Sequence, residues 1–251
     1  NNVFSGVLPH DPEPRPRSSV QAQSLMGPLK ADAGFVFNSD MSRMAVVTSS
    51  CETLSEEYTF PLFAARLLPR GGPSKAVVTN WCTTRTLDDI VARHGGSVVK
   101  TRVGQAPIID KMLDSGALLG GDGSGSVALN GAVNGFDGYL AMGVILEAMA
   151  AEGKSSADLA DELPRYHIIK RKVNCPSAHA YTLIRAMKNL FQGVRVNEED
   201  GLRFDWADGW VHLRASSTEP LIRMIVEWRD KAGAEEMASN VRNHIERLVA
   251  S

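Results

Sequence analysis

Hydrophobic and polar positions change their spacing several times along the chain, and each spacing predicts a different kind of element. The runs 34–38 and 44–50 are short, apolar and rich in β-forming residues, which predicts two buried strands around a polar loop. A helix is expected over 19–29. Residues 1–19 carry four prolines, which predicts an extended or turning segment.

The stretch from about 54 to 155 alternates strand-like and helical segments. The strand-like segments are KAVVTNW, SVVKTRV and ALLGGD, and the helical ones are TLDDIVARHGG, APIIDKMLDSG and residues 137–152. Before them, a capping box from Thr53 to Glu56 predicts a helix that ends at Gly71-Gly72, with Pro61 able to kink or shorten it. This alternation predicts βαβ units and an α/β domain with a largely parallel sheet.

Residues 166–251 follow a different pattern, after a short helix at SSADLADEL. YHIIKRKV and PLIRMIVEW are strand-like, and GLRFDWADGWVHLRAS predicts a hairpin that turns at Asp208-Gly209. SAHAYTLIRAMKNLFQG and AGAEEMASNVRNHIERLVA have the apolar stripe of amphipathic helices. The order predicts a small α+β domain with an antiparallel sheet.

The loop RASSTEPLIR, residues 214–223, has the richest chemistry of three polar loops at strand ends. Arg214 and Arg223 bracket Ser216, Ser217 and Thr218 on a turn between two predicted strands. Hydroxyls and backbone N–H groups can surround a phosphate, and arginine pairs with its oxygens. A phosphate-binding turn and a solvated polar hairpin both fit these residues.

The loop GGDGSGSV, residues 120–127, combines four glycines with three polar side chains. Glycine lets a backbone approach a ligand closely, so Asp122 and Ser124 could bind hydroxyl groups. The Gly-Lys-Ser ending of a phosphate-binding loop is missing, and taken alone the pattern favours a surface turn.

The loop NSDMSR, residues 38–43, presents oxygen-bearing side chains at alternate positions. Asn38, Asp40 and Ser42 supply one carboxylate and two neutral oxygens, and Arg43 closes the loop. Mg²⁺ prefers carboxylate or phosphate oxygens in octahedral geometry. On this chemistry alone, a structural turn is favoured over a metal site.

Composition and charge narrow the possible partners. The chain has 251 residues, 43% of them hydrophobic and 22% charged, with a net charge of −2, which argues against a nucleic-acid binder. The apolar stretch 139–151 is too short to span a bilayer. Cys51, Cys82 and Cys175 are widely spaced and odd in number, which predicts free thiols in a reducing cytoplasm.

Several other residues are assigned to structure rather than chemistry. The six histidines show no metal-ligand or triad spacing, Trp206 and Trp210 are expected to pack around a hairpin turn, and Asp137-Gly138 is expected to begin a helix. The chain does not begin with Met and opens on a proline-rich segment, from which we expect the C-terminal part of a longer protein.

Taken together and in this order, the loops resemble the α-D-phosphohexomutase family of phosphoglucomutases, phosphomannomutases and phosphoglucosamine mutases. DPEP at 11–14 and GFVFNSDMSRMAVV at 34–47 are similar to the second domain of that family, including its metal loop. EEYT, NWCTTRTLDDIVARHGG and VGQAPIIDKMLDSGALLGGDGSGSV are similar to the third domain, and RASSTEPLIR to the phosphate-binding loop of the fourth. The resemblance implies three parts: the end of domain II over 1–53, domain III over 54–160, and a C-terminal phosphate-binding domain over 161–251.

The fold class implied is α/β, with a mixed-sheet α/β mutase domain followed by a C-terminal α+β phosphate-binding domain. The activity implied is reversible phosphate transfer between the 1- and 6-positions of a hexose, an isomerase reaction of the phosphotransferase type. In this family a phosphoserine donates the phosphoryl group, and Mg²⁺ held by a three-aspartate loop stabilises its charge.

The resemblance also implies roles for individual residues. Asp122, in place of the usual glutamate, and Ser124 would contact sugar hydroxyls, and Arg43 and Gln105 would be active-site residues. The remaining residues implied are those that would grip the non-reacting phosphate of the substrate: Arg214, Ser216, Ser217, Thr218 and Arg223.

Two departures from the family pattern bear on catalysis. The N-terminal domain with its serine loop has no counterpart in this sequence, so the missing domain is an expected partner, with a hexose phosphate as ligand. Asn38 and Ser42 stand where aspartates are expected, which leaves Asp40 alone and predicts weak Mg²⁺ binding. Two main hypotheses therefore stand: the C-terminal portion of a phosphosugar mutase, and a non-catalytic phosphosugar-binding paralogue. A third and weaker one is a mutase-like domain used for assembly or regulation beside another enzyme.

Overall fold

The computed structural model describes residues 11–71, 74–132 and 134–250, which form two compact units. Unit 1 comprises residues 1–100 and 104–164, and unit 2 comprises 101–103 and 165–251. The first ten residues of the expected proline-rich segment, and Gly72 at the expected helix end, lie outside the described residues.

Unit 1 alternates helices and strands over most of its length. Its helices are α1 (Val20–Leu29), α2 (Thr59–Leu67), α3 (Arg85–Arg93), α4 (Gln105–Ser115), α5 (Gly138–Glu152) and α6 (Ser156–Asp161). Its strands are β1 (Ala33–Phe37), β2 (Met44–Thr48), β3 (Ala76–Asn80), β4 (Ser97–Thr101), β5 (Leu119–Asp122) and β6 (Ser126–Leu129).

The main sheet of unit 1 is mixed rather than largely parallel. Its strand order is β4-β3-β5-β6, with β3 parallel to β5 and β5 antiparallel to β6. The sequence pattern did not predict β6, because its four residues follow directly on the glycine-rich loop and are too few to show a period. The loop around Asp122 is therefore the turn of a β-hairpin. β1 and β2 form a separate antiparallel pair.

The predicted capping box at Thr53 is wrong. Thr53 takes part in an isolated β-bridge with Val47, and a 3₁₀ turn over Glu56–Tyr58 precedes α2. That turn is capped by Ser55, whose hydroxyl accepts a hydrogen bond from the N–H of Glu57 at 3.4 Å. Pro61 is the third residue of α2, where its missing N–H removes no bond that the helix would otherwise make, so it is compatible with a late helix start.

The core of unit 1 lies between the sheet and its helices. Phe60, Phe63, Val77 and Leu119 are fully buried there. Asp137 caps α5, as expected, by accepting hydrogen bonds from the N–H groups of residues 139 and 140. Gly153 in the left-handed conformation ends that helix. Local capping therefore accounts for where α5 begins and ends.

Unit 2 is an antiparallel sheet with helices on one face. The strand order is β7-β11-β10-β9-β8. The strands are β7 (His167–Asn174), β8 (Arg195–Asn197), β9 (Leu202–Asp205), β10 (Gly209–Ala215) and β11 (Leu221–Trp228), and the helices are α7 (Ser177–Ala186) and α8 (Lys231–Ala250). β9 and β10 form the predicted hairpin, while β8, with three residues, was not predicted.

One face of this sheet carries the core of unit 2. Val211, Leu213, Met224 and Val226 are buried on that face together with side chains of α7 and α8. Trp206 packs edge-on against Phe191 with ring centroids 4.9 Å apart, in agreement with the packing role predicted for it. Among the helices described, none combines the length and the apolar character needed to cross a bilayer.

Candidate functional site

The loop 38–43 joins β1 to β2, and its polar side chains bond to one another. The amide Nδ2 of Asn38 donates to Oγ of Ser42 at 3.2 Å, and that hydroxyl donates to Oδ1 of Asp40 at 2.6 Å. Oδ1 of Asn38 accepts the backbone N–H of Arg43 at 3.0 Å. The structure thus brings the three predicted metal-loop residues together as a hydrogen-bonded chain.

This donor set does not fit Mg²⁺. It offers one carboxylate, and its Oδ1 already accepts both the N–H and the hydroxyl of Ser42. These bonds lower the pKa of Asp40, because they stabilise its charged form. Over the residues described, no cluster of three or more His, Cys, Asp or Glu side chains is arranged to hold a metal ion. Neutral amide and hydroxyl oxygens lack the charge that Mg²⁺ selects.

Arg43, the predicted active-site arginine, is held by a carboxylate of unit 1. Its Nη1 donates to Oε1 and Oε2 of Glu13 at 2.8 and 2.6 Å. Both side chains remain about one-third exposed, 35% and 33% respectively, so an anionic ligand could compete with Glu13 for Arg43. Glu13 belongs to the DPEP motif, but the sequence offered no sign of this partner.

The loops 38–43 and 120–127 are neighbours within unit 1. Arg43 and Ser126 form an isolated β-bridge, and the N–H of Met44 donates to the carbonyl oxygen of Gly125 at 3.0 Å. Gly125 has φ of +88°, and a β-carbon there would lie 2.3 Å from the carbonyl oxygen of Met44. Only glycine allows this approach, which fixes the glycine-rich loop against the start of β2.

Asp122 and Ser124, the predicted sugar-binding residues, lie in the β5–β6 turn. Oδ1 of Asp122 accepts hydrogen bonds from the N–H and the hydroxyl of Ser124. Oδ2 accepts from the amide of Asn80 at 3.3 Å, at the end of the neighbouring parallel strand. Asp122 is only 8% exposed, so the protein itself already orients both of its oxygens.

Glu57 is a buried residue beside this turn that sequence reasoning missed. Its Oε2 accepts the N–H of Thr84 at 3.2 Å, at the start of α3. A β-carbon on Gly123 would lie 2.0 Å from the same carboxylate oxygen. The carboxylate of Glu57 therefore packs closely against Gly123 of the glycine-rich loop, where a side chain would not fit. The EEYT motif contained it, but a buried role cannot be read from a charged residue at a helix start.

Gln105, the other predicted active-site residue, is exposed as the first residue of α4. Its Nε2 lies 3.3 Å from the point where a β-carbon of Gly135 would stand. Gln105 therefore lies at the N-terminus of α4, near Gly135, and its active-site role stays a prediction.

The predicted phosphate-binding loop is the turn between β10 and β11 in unit 2. Arg214 and Arg223 are direct cross-strand partners, so their side chains leave the same face of the sheet. Ser217 and Thr218 are exposed at the tip, and Ser216 is mostly buried at its base. The hairpin register thus sets the two arginines on one face of the sheet, and the turn that joins their strands carries two exposed residues with hydroxyl groups.

Comparison with known proteins identifies the family of this chain. The model of the phosphoglucomutase/phosphomannomutase alpha/beta/alpha domain III matches residues 55–166, and the model of the C-terminal domain of the same family matches residues 172–244. The chain belongs to the phosphoglucomutase/phosphomannomutase family. Its fold of mixed sheets and helices is the phosphohexomutase fold of its structural neighbours.

Individual relatives show how much of a phosphohexomutase this chain represents. It is 30% identical to a phosphoglucomutase/phosphomannomutase of Thermococcus kodakarensis over 90% of this chain and 50% of that protein. It is 25% identical to a phosphoglucosamine mutase of Methanococcus maripaludis over 91% of this chain and 53% of that protein. The chain therefore spans about half the length of the curated relatives it matches.

A solved structure gives the same result for the fold. A phosphoglucomutase/phosphomannomutase family protein from Burkholderia thailandensis superposes with a TM-score of 0.82 at 26% identity, over 95% of this chain and 52% of that one. Family membership follows from these matches, whereas the roles of single site residues remain predictions.

Proposed function

We propose that this chain is the C-terminal portion of a phosphohexomutase that interconverts hexose 1- and 6-phosphates, and that it binds the substrate phosphate through residues 214–223. The observation that carries this proposal is the β10–β11 register, which sets Arg214 directly opposite Arg223 on strands joined by a turn with the exposed residues Ser217 and Thr218. Planar guanidinium groups and hydroxyl donors are the groups that recognise phosphate oxygens.

The residues of unit 1 have proposed roles in the same function. Asp122 and Ser124 would contact sugar hydroxyls, with Asp122 oriented by Asn80. Arg43 would meet an anionic group after release from Glu13, and Gln105 would be a further polar contact. The proposed partners are a hexose phosphate and the N-terminal domain of a mutase. A cytoplasmic location is proposed from the reduced state expected of the three free cysteines.

Calorimetric titration of the purified chain with a hexose 6-phosphate and with the free hexose tests the phosphate site. We expect the phosphate ester to bind and Arg223→Ala to weaken binding roughly tenfold, since one charge-assisted hydrogen bond is worth about 1.5 kcal/mol. Arg229→Ala is the matched control, because Arg229 lies just beyond the far end of β11 and pairs with Asp208. Equal affinities of the two variants would rule out the assigned site.

A second candidate function is non-catalytic phosphosugar binding, and the loop 38–43 favours it. Where the family resemblance expects three aspartates, Asn38, Asp40 and Ser42 bond to one another and form a poor set for Mg²⁺. We expect the purified chain to show no mutase turnover with a hexose 1-phosphate, a bisphosphate activator and Mg²⁺, because it also lacks the family's phosphoserine loop. Measured turnover would contradict this candidate.

A further inference from the structure

The two arginines of the phosphate hairpin belong to a longer row of cations. Arg223 of β11 is the register partner of Arg214 on one side and of Lys172, in β7, on the other. Direct cross-strand partners project to the same face of an antiparallel sheet. The three cations therefore cross three adjacent strands in one line, on the face opposite the helix-covered core of unit 2.

A glutamate from the turn already bridges part of this row. Glu219 places Oε1 2.7 Å from Nζ of Lys172 and Oε2 2.7 Å from Nη2 of Arg223. The hydrogen bond from Lys172 is the main reason that the pKa of Glu219 lies below its ordinary value. Like charges placed directly opposite each other destabilise a sheet, and this carboxylate offsets that repulsion.

The backbone of the turn holds Glu219 in place. Its N–H donates to Oγ of Ser216 at 3.3 Å, and its carbonyl oxygen accepts the N–H of Leu221 at 2.8 Å. The side chains of Lys172, Glu219 and Arg223 are 55%, 37% and 39% exposed, so water and small anions reach all three. Exposed ion pairs of this kind are weak, which makes the carboxylate displaceable.

The bridge shows which ligand the row can accept. A carboxylate offers two oxygens to two cations, one oxygen to each, which is the arrangement that two oxygens of a phosphate group would make. A phosphate monoester carries a charge near −2 and three terminal oxygens, so the cations attract it more strongly than they attract the singly charged carboxylate of Glu219. It can also reach Arg214, the next cation in the row.

We propose that Lys172 is a phosphate-binding residue of this hairpin and that Glu219 is a built-in competitor, which the incoming phosphate displaces from Lys172 and Arg223. This inference rests on the proposed function and extends it to two residues. Lys172 completes the cationic row from a strand about 40 residues earlier in the chain. Glu219 compensates part of the positive charge of the row until an anion arrives.

Calorimetric titration of the full chain with inorganic phosphate, and then with a hexose 6-phosphate, tests the proposal. We expect Lys172→Ala to weaken binding roughly three- to tenfold and Glu219→Gln to tighten it by a similar factor, because glutamine keeps the length of the side chain without its charge. Lys172→Met, which keeps much of the aliphatic stem, should behave like Lys172→Ala.

Arg171→Ala is the matched control for lost positive charge. Arg171 precedes Lys172 on the same strand, projects to the opposite face and pairs with Glu235 at 3.0 Å. We therefore expect the affinity of the Arg171→Ala variant for phosphate to change less than about twofold. Thermal unfolding followed by circular dichroism verifies that each variant is folded.

The outcomes separate the inference from the proposed function. If the wild-type chain binds neither inorganic phosphate nor the hexose phosphate, the proposed function fails. If the wild type binds but Lys172→Ala equals Arg171→Ala, Lys172 is not a ligand of the phosphate. Binding by Glu219→Gln that is no tighter than that of the wild type would show that Glu219 does not compete.

Discussion

The loop 38–43 of unit 1 and the turn 216–220 of unit 2 are both connections between antiparallel strands, yet they use their polar side chains in opposite ways. In the first, Asn38 donates to Ser42, Ser42 donates to Asp40, and Asn38 accepts the backbone N–H of Arg43, so the loop closes on itself. In the second, the strands beside the turn place cations next to one another, and Glu219 compensates them only in part.

The difference distinguishes a loop whose polar groups stabilise the fold from a hairpin whose charged groups are available to a ligand, within one phosphohexomutase chain. Hydrogen-bonding groups that are satisfied by their neighbours stabilise a loop but have little left to offer a ligand. A row of like charges costs folding energy unless an anion joins it, which is the situation of a binding site. On this ground we propose ligand binding for the hairpin of unit 2 and a supporting role for Asn38, Asp40 and Ser42 in the loop of unit 1.

The largest expected effect concerns the strand beneath the phosphate hairpin, where His212 is buried two residues before Arg214. Burial lowers the pKa of His212 to about 4, although its Nε2 bonds to the carbonyl oxygen of Asp200 at 2.6 Å. A lowered folded-state pKa means that the unfolded chain binds more protons. The contribution of neutral His212 to the free energy of unfolding should therefore be present above pH 6.5. That free energy should fall by about 3 kcal/mol as the pH drops to about 4, with roughly 2 kcal/mol of the loss reached by pH 5.

Urea unfolding followed by tryptophan fluorescence measures this loss, because three of the four tryptophans (Trp206, Trp210 and Trp228) belong to unit 2. His179→Gln is the control, since His179 is exposed. Equal free energies of unfolding at pH 7.5 and pH 5 would show that His212 is not held neutral by burial. The strand that carries Arg214 would then not be anchored by a buried neutral histidine.

The second effect would convert the closed loop into an ion-dependent one. Asn38→Asp combined with Ser42→Asp replaces both donors by carboxylates beside Asp40, so we expect a loss of about 2 kcal/mol without metal. Millimolar Mg²⁺ should restore that stability in the double variant, while the wild type should show no saturable Mg²⁺ binding below the millimolar range.

Thermal unfolding with and without Mg²⁺, repeated in NaCl of equal ionic strength, follows this change. Asn38→Asp alone is the matched control, because it leaves Ser42 to bridge the loop. A wild-type chain stabilised by Mg²⁺ to the same degree as the double variant would reverse the comparison and make loop 38–43 a metal site after all.

The smallest effect is the loss of the Ser42 hydroxyl. Ser42→Ala breaks the bonds to Asn38 and Asp40, so we expect a loss of at most about 1 kcal/mol at this half-exposed position. The pKa of Asp40 should rise towards its ordinary value, since the Ser42 hydroxyl is the largest cause of its lowering. Carboxyl-carbon NMR titration measures that pKa, with the exposed neighbour Ser39→Ala as control. An unchanged Asp40 pKa would mean that the chain of hydrogen bonds does not form in solution.

Much of the fold could be predicted from local patterns. The hairpin at Asp208-Gly209, the helix begun by Asp137 and the strands around loop 38–43 all appear where the pattern placed them. The failures were short elements and one cap. β6 and β8 are too brief to show a period, and Thr53 was drawn into a bridge with Val47, so tertiary pairing overrode a local capping signal.

The candidate site was predictable where its residues are contiguous. Arg214 and Arg223 lie in one motif, and the four glycines of residues 120–127 predict a turn there. Glu57 could not be found this way, because its carboxylate packs against Gly123, which is 66 positions later in the sequence. Burial of that carboxylate depends on how the 3₁₀ turn before α2 packs beside Thr84 and Gly123, which no local pattern encodes.

The sequence by itself determined which chemical groups each loop carries: one carboxylate where the family resemblance expects three, and two arginines around a hydroxyl-rich turn. Only the tertiary structure decided how those groups are used. Strand register brought Lys172 and Glu219 to Arg223, and loop closure joined Asn38, Ser42 and Asp40. The physical reason is that charges and hydrogen-bonding groups act over a few ångströms, and the fold alone sets those distances.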